Sequence, residues 1–255
     1  MMVDGLIHVL ALVLPLLGGS ADTGGIGLAG TSVLGHDIGY QVLGDGPETV
    51  MFIATVHGNE WAGTPLLVQL RRRLMDDETL LGDNRVVLVP MANPDGHRRK
   101  RRWNKRGVDL NRNFPAPNWK KRKRTGTQPL SEPETRALVK LIKRFTPTRI
   151  ITIHQPLRQI DYDGPGKALA KRMAKRQPNI GGKKLRVKRL GGRAGSLGSW
   201  AGKQLRIPVI TLELPKRAHR WSPMTLWRRY GGMLLAAITP DTRDGRPRHD
   251  SKNSQ

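Results

Sequence analysis

From Val50 to Ala237 the chain alternates short apolar runs with segments of helical period, and this alternation constrains its fold more than any other feature. Val50–Val56 (VMFIATV), Arg85–Pro90 (RVVLVP), Arg149–Ile153 (RIITI) and Pro208–Leu214 (PVITLEL) have the length and continuity of strands buried on both faces. Between them, Thr64–Leu74 puts Leu66, Leu67, Leu70 and Leu74 at helical spacing. Ser131-Glu132-Pro133-Glu134 reads as a capping box, with Ser131 as N-cap, opening a helix that turns Leu138, Leu141, Ile142 and Phe145 inward. Ser222-Pro223 opens a last helix with Leu226, Trp227, Tyr230, Leu234 and Ala237 as its inner face. Strands that are apolar throughout need cover on both sides. The expected fold is therefore a single α/β domain over residues 30–240, a mixed and mostly parallel sheet covered by helices on both faces. In such folds ligands gather where strands end and loops begin.

The ends of the chain read differently. Leu6–Leu17 (LIHVLALVLPLL) is too short to span a membrane as a helix. It has the character of a signal h-region, with Gly19-Ser20-Ala21 as a small-residue cleavage site, so residues 1–25 are expected to direct export. Met1–Gly5 carries Asp4 and no basic residue, which keeps a cytoplasmic protein as the alternative. Gly18–Ser32 reads as linker or loop, and residues 241–255 as a polar tail.

Cysteine is absent, which excludes a disulfide scaffold, a zinc–thiolate cluster and a cysteine nucleophile. The formal charge is +25, and two segments hold nearly all of it. Arg98–Arg124 has 13 basic residues against the single acid Asp109, and Lys167–Arg193 has 11 and no acid. Such blocks attract polyanions, although a solvated basic surface is an equally good reading. Nucleic acid is disfavoured as partner: aromatic residues are not interleaved with the basic runs, and no nucleic-acid motif is present.

The residues with chemical potential sit at strand ends. Val50–Val56 runs directly into His57-Gly58-Asn59-Glu60, a spacing that lets an imidazole and a carboxylate share a divalent metal. Roughly 0.16 His-x-x-Glu pairs are expected by chance in a chain of this composition, so position strengthens a weak motif. His154 closes the run RIITI. Alone it reads equally as a structural hydrogen-bonding histidine; with His57 and Glu60 it completes a His₂Glu set that leaves a fourth zinc position for water. Glu213 lies inside Val209–Leu214, either as an edge-strand residue facing solvent or as a general base tuned by its surroundings. Asn93-Pro94-Asp95-Gly96 has turn composition. Asn111-Arg112 offers a fork suited to a carboxylate, unless Arg112 simply belongs to the basic block.

The ordered set HGNE, NPDG, RWN, GVDLNRNFP, SEPET, IH and ELP resembles the zinc carboxypeptidase family from about His57 to Pro215. NFPAPNWK, HQPL and GSLGSW make the chain most similar to that family's bacterial murein peptide amidase branch. The resemblance implies one zinc ion per chain held by His57, Glu60 and His154, with Glu213 as the catalytic glutamate. It matches Arg102 to the arginine that polarises the scissile carbonyl, with Arg101 competing for that alignment. Asn111 and Arg112 match the pair that holds a free substrate carboxylate. Gly191–Ser196, where digestive members carry a mobile tyrosine, has none. The implied function is hydrolysis of an amide bond beside a free carboxylate, with the γ-D-glutamyl-diaminopimelate bond of murein peptides first. An N-acyl amino acid deacylase of the succinylglutamate desuccinylase or aspartoacylase type and a general metallocarboxypeptidase are the alternatives. A basic surface that holds the enzyme against an anionic cell wall is compatible with each.

Overall fold

The computed structural model describes residues 25–179 and 184–239. The export signal expected in residues 1–25 and the tail at 241–255 lie outside the described residues, apart from Gly25. The chain forms one eight-stranded sheet. Its strands are β1 (Ile26–Thr31), β2 (Asp37–Leu43), β3 (Glu48–Ala54), β4 (Asn84–Val89), β5 (Arg149–His154), β6 (Leu157–Asp163), β7 (Arg186–Val187) and β8 (Val209–Pro215), in the spatial order β1-β2-β4-β3-β5-β8-β6-β7. The central four, β4, β3, β5 and β8, run parallel. Antiparallel pairs flank them, β2 with β4 on one side and β6 with β8 on the other. Among the described residues the α-helices are α1 (Gly63–Asp76), α2 (Pro94–Arg98), α3 (Pro133–Phe145), α4 (Lys167–Lys175) and α5 (Pro223–Ile238). Among the described residues no helix is long and apolar enough to cross a membrane.

Side-chain alternation on the strands divides the core in two. Val50, Phe52 and Ala54 of β3 pack with Leu66 and Leu70 of α1, Met173 of α4 and Leu226 and Met233 of α5. Met51 and Ile53 of the same strand pack on the other face with Leu138 and Ile142 of α3, with Phe114 from a loop near the site and with Trp200 of the π-helical turn Gly198–Gln204. Leu66, Leu67, Leu70 and Leu74 are all buried in α1, as their spacing requires. Arg149, at the start of β5, is buried with its charge fully engaged. It donates to Glu48 Oε2 and Asn84 Oδ1, both at 2.7 Å, and to the carbonyls of Ala237 and Ile238 at the end of α5. Three strands are thereby tied to the last helix, whose terminal carbonyls gain a cation.

The structure corrects the sequence reading at Ile26–Thr31, at the capping box and at Asn93–Gly96. Ile26–Thr31, expected as linker, is an edge strand; its glycines hide the pattern, and only Ala29 in it is buried. The capping box does not form. Ser131 is drawn into the hydrogen bonds of Asn113, so α3 begins one residue later with Glu132 as N-cap and Pro133 in its first turn. The turn Asn93–Gly96 is the start of the short helix α2, capped by the Asn93 side chain accepting from Gly96 N at 2.9 Å. The Ser222 cap of α5 stands, accepting from Thr225 N at 3.2 Å.

Candidate active site

The C-terminal ends of three adjacent parallel strands build the site. His57 and Glu60 follow β3, His154 is the last residue of β5, and Glu213 on β8 is the register partner of His154. Gly58 lets this edge close: a Cβ there would overlap Gly96 and the backbone nitrogen of His97. Asn93 Nδ2 reaches back to the carbonyl of Val56 at 3.2 Å, so HGNE and NPDG brace one another.

His57, Glu60 and His154 are 3–5% exposed, and each offers one ligand atom within 4.8 Å of the others. Glu60 Oε2 lies 2.9 Å from His57 Nδ1 and 2.9 Å from His154 Nδ1, and the two Nδ1 atoms are 3.1 Å apart. His57 Nε2 faces Asp109 Oδ1 at 3.0 Å. With the imidazole proton held there, His57 presents a bare nitrogen lone pair to a carboxylate and a second imidazole. Three acceptors converging in a dry place fit a bound cation, and the two-nitrogen, one-oxygen set fits zinc. The electrostatics agree. Burial disfavours charge on His57, but Glu60 and Asp109 outweigh it and raise its pKa. Burial likewise opposes ionisation of Glu60 and Asp109, yet their contacts with the histidines, and Arg102 in the case of Asp109, hold both carboxyls well below the usual range. This is a place that stabilises positive charge.

All seven residues singled out in the sequence line one cavity of about 340 Å³. Glu213 is 8% exposed, and among the described residues its carboxylate accepts a single 3.3 Å bond, from Leu157 N. Burial pushes its carboxyl above the ordinary range, with His154 acting in the opposite direction. Arg102 is half-buried, donating from Nη1 to Glu60 Oε1 at 2.8 Å and from Nε to Asp109 Oδ2 at 3.1 Å, while Arg101 is exposed. Asn111 Oδ1 accepts from Leu197 N at 2.9 Å, which leaves its amide NH₂ as the free end. Arg112 donates to the carbonyl of Asn111; burial lowers its pKa, with Asp109 opposing. The other asparagine of GVDLNRNFP, Asn113, is wholly buried and structural, bonded to Thr125, Gln128, Ser131 and Glu132.

Sequence reasoning missed four contributors. Asp109 appeared only as the lone acid of a basic block, yet it orients His57, holds Arg102 and accepts from Asn111 N at 3.0 Å. That one carboxylate among 13 cations was itself the signal. Gln155 donates its backbone N–H to Glu60 Oε2 at 3.1 Å. Asp161 and Asp163, on a strand too polar to read as one, line the far side of the cavity.

A sheet of this topology carrying a buried His₂Glu centre at its parallel strand ends defines a metallohydrolase of the carboxypeptidase type. Residues 26–230 match the zinc carboxypeptidase family, and the chain belongs to it. Murein peptide amidase A of Escherichia coli K12 is 34% identical over 206 residues, covering 73% of this chain and 79% of that one. Its namesake from Vibrio campbellii is 31% identical over 207 residues, covering 73% and 77%. The crystal structure of murein-tripeptide amidase MpaA from Escherichia coli O157 superposes with a TM-score of 0.63 at 27% identity, over 85% of this chain and 93% of that one. Bovine thrombin-activatable fibrinolysis inhibitor shares the fold at a TM-score of 0.73 and 18% identity, over 85% and 88%.

Proposed function

We propose that the chain is a zinc-dependent amide hydrolase that releases a residue bearing a free carboxylate, with the γ-D-glutamyl-diaminopimelate bond of murein peptides as its substrate. The observation that carries this reading is the shared cavity. It joins a His₂Glu centre, a buried glutamate and the cationic pair Arg102 and Arg112 with Asn111, in a chain 34% identical to murein peptide amidase A. His57, Glu60 and His154 would hold zinc, which when bound lowers the pKa of water and polarises a carbonyl. Glu213 takes a proton from the attacking water and returns it to the departing amine; the amide C–N bond breaks, the acyl carbon gains OH and the amine gains H. Its raised pKa suits a group that must accept and then give back a proton. Arg102 keeps Nη2 for the developing oxyanion, since Nε and Nη1 are held by Asp109 and Glu60. Asn111 and Arg112 grip the free carboxylate and set the register of the scissile bond. This fits a murein stem peptide, whose glutamyl and diaminopimelyl units carry free carboxylates near the bond that joins them. Chelator-sensitive release of diaminopimelate from L-alanyl-γ-D-glutamyl-diaminopimelate tests the reading; absence of release by the zinc-loaded protein would end it.

The basic blocks support an association with an anionic wall surface. Arg98–Arg101 and Lys120–Lys123 are exposed beside the segment that supplies Arg102, Asn111 and Arg112. Rising salt is expected to weaken binding to insoluble murein far more than it slows hydrolysis of the free tripeptide, because screening acts on the long-range field. Equal salt sensitivity of the two would remove the surface from the account.

A further inference from the structure

The link from β5 to β6 is only two residues, Gln155 and Pro156, and it reaches both halves of the catalytic apparatus. The backbone N–H of Gln155 donates to Glu60 Oε2 at 3.1 Å, and that of Leu157, where β6 begins, donates to Glu213 Oε2 at 3.3 Å. A metal ligand and the base thus take hydrogen bonds from either side of Pro156, which has no N–H to give. Leu157 is also the register partner of Pro215, so the link lies against the exit of β8.

The Gln155 side chain fixes where this link sits. It is 4% exposed and engaged at both ends. Oε1 accepts from Ala62 N at 3.2 Å; Ala62 is the N-cap of α1, and that helix has no side-chain cap of its own. Nε2 donates to the carbonyls of Lys216 at 3.0 Å and Pro215 at 3.2 Å. Ala62 lies two residues after Glu60, and Pro215 two residues after Glu213. One buried amide therefore ties together the exits of β3, β5 and β8. Trp61 and His219, whose rings are 4.5 Å apart, make a second contact between the first and last of these exits, and His219 Nδ1 stands 3.4 Å from Gln155 Nε2. The span needs an acceptor and a two-proton donor one amide apart. Glutamine supplies both, a carboxylate has no proton for the carbonyls, and a thioether does neither well.

Glu213 needs such a frame. Its carboxylate takes a single bond among the described residues, so its place beside the zinc ligands is set by backbone: by β8, on which Glu213 is the register partner of His154, and by the link that supplies Leu157 N. A general base acts only within hydrogen-bond reach of the proton it takes, and a misplacement of about 1 Å can cost about 10²-fold in rate.

We propose that Gln155 is a positioning residue for the reaction, its side chain holding Glu213 at working distance from the metal centre. This rests on the reading of the cavity as the active site of an amide hydrolase with Glu213 as base. Both polar ends of Gln155 are spent within the protein, so loss of the amide acts on proton transfer and leaves substrate affinity in place.

The test measures kcat and KM of the zinc-loaded chain on whichever of L-alanyl-γ-D-glutamyl-diaminopimelate and benzoylglycyl-phenylalanine the wild type hydrolyses faster. Gln155→Met keeps the length and removes the side-chain hydrogen bonds. Gln155→Glu keeps the acceptor for Ala62 N and loses the donors to the exit of β8. Each is expected to lower kcat at least about tenfold, with KM within about twofold of wild type and zinc at one per chain. Combining Gln155→Met with Glu213→Gln separates positioning from a general loosening of the site. With the base already gone, Gln155→Met should cost less than about threefold further, read in single turnover with enzyme in excess. A kcat near that of the wild type in either single variant overturns the proposal, as does an undiminished tenfold loss in the Glu213→Gln background. A loss of kcat that comes only with loss of zinc overturns it too, because Gln155 would then hold the ligands and not the base. If Gln155→Met fails to fold, Gln155→Glu carries the same comparisons. A wild type that hydrolyses neither substrate removes the hydrolase reading and the role of Gln155 with it, whereas an active wild type with equally active variants removes that role alone.

Discussion

Glu213→Gln is expected to lower turnover of the murein tripeptide by at least about 10²-fold, the contribution of a positioned general base, with zinc content unchanged. The substitution keeps size and removes proton-accepting power. It is not expected to disturb the fold, because among the described residues the Glu213 carboxylate accepts a single 3.3 Å bond, from Leu157 N, and its burial already disfavours charge. Steady-state kinetics on metal-quantified protein checks this. Near-normal turnover in a fully loaded variant would take Glu213 out of the proposed chemistry.

The second large effect is on the metal. His154→Ala removes one of three ligand atoms that lie within 4.8 Å of one another, and most of the zinc and the activity should be lost together. Asp109→Asn gives a graded counterpart. An amide at that position accepts less strongly from His57 Nε2 and no longer offsets Arg102, so zinc affinity should fall about 10–100-fold while the ligands remain. Competition with a fluorescent chelator measures both. Full zinc occupancy in His154→Ala would displace the assigned centre, and unchanged affinity in Asp109→Asn would make that residue's role purely structural.

What the sequence made legible follows from where burial leaves a mark. The four central parallel strands are apolar throughout because both faces are covered, so Val50–Val56 and Arg149–Ile153 stand out, and His57 and His154 stand out at their ends. β6 escaped notice because one of its faces lines the cavity. A strand reading Gln159, Asp161, Asp163 on that side has a polar half and an apolar half too short to register. β1 escaped because an edge strand needs little apolar surface. The capping box failed for a tertiary reason: Asn113, eighteen residues upstream, claims Ser131. The sequence could rank Arg101 and Arg102 only by alignment. In the fold, Arg101 faces solvent and Arg102 spans Glu60 and Asp109.

The most direct test of the central claim is a comparison of kcat/KM, on one zinc-loaded preparation, for L-alanyl-γ-D-glutamyl-diaminopimelate, a benzoylglycyl-phenylalanine peptide and N-succinylglutamate. A cavity with a guanidinium end and a carboxylate end should favour the tripeptide by at least about 10²-fold over the phenylalanine peptide. Faster turnover of the phenylalanine peptide would make the enzyme a general carboxypeptidase, and faster turnover of N-succinylglutamate a deacylase; either result would contradict the murein assignment.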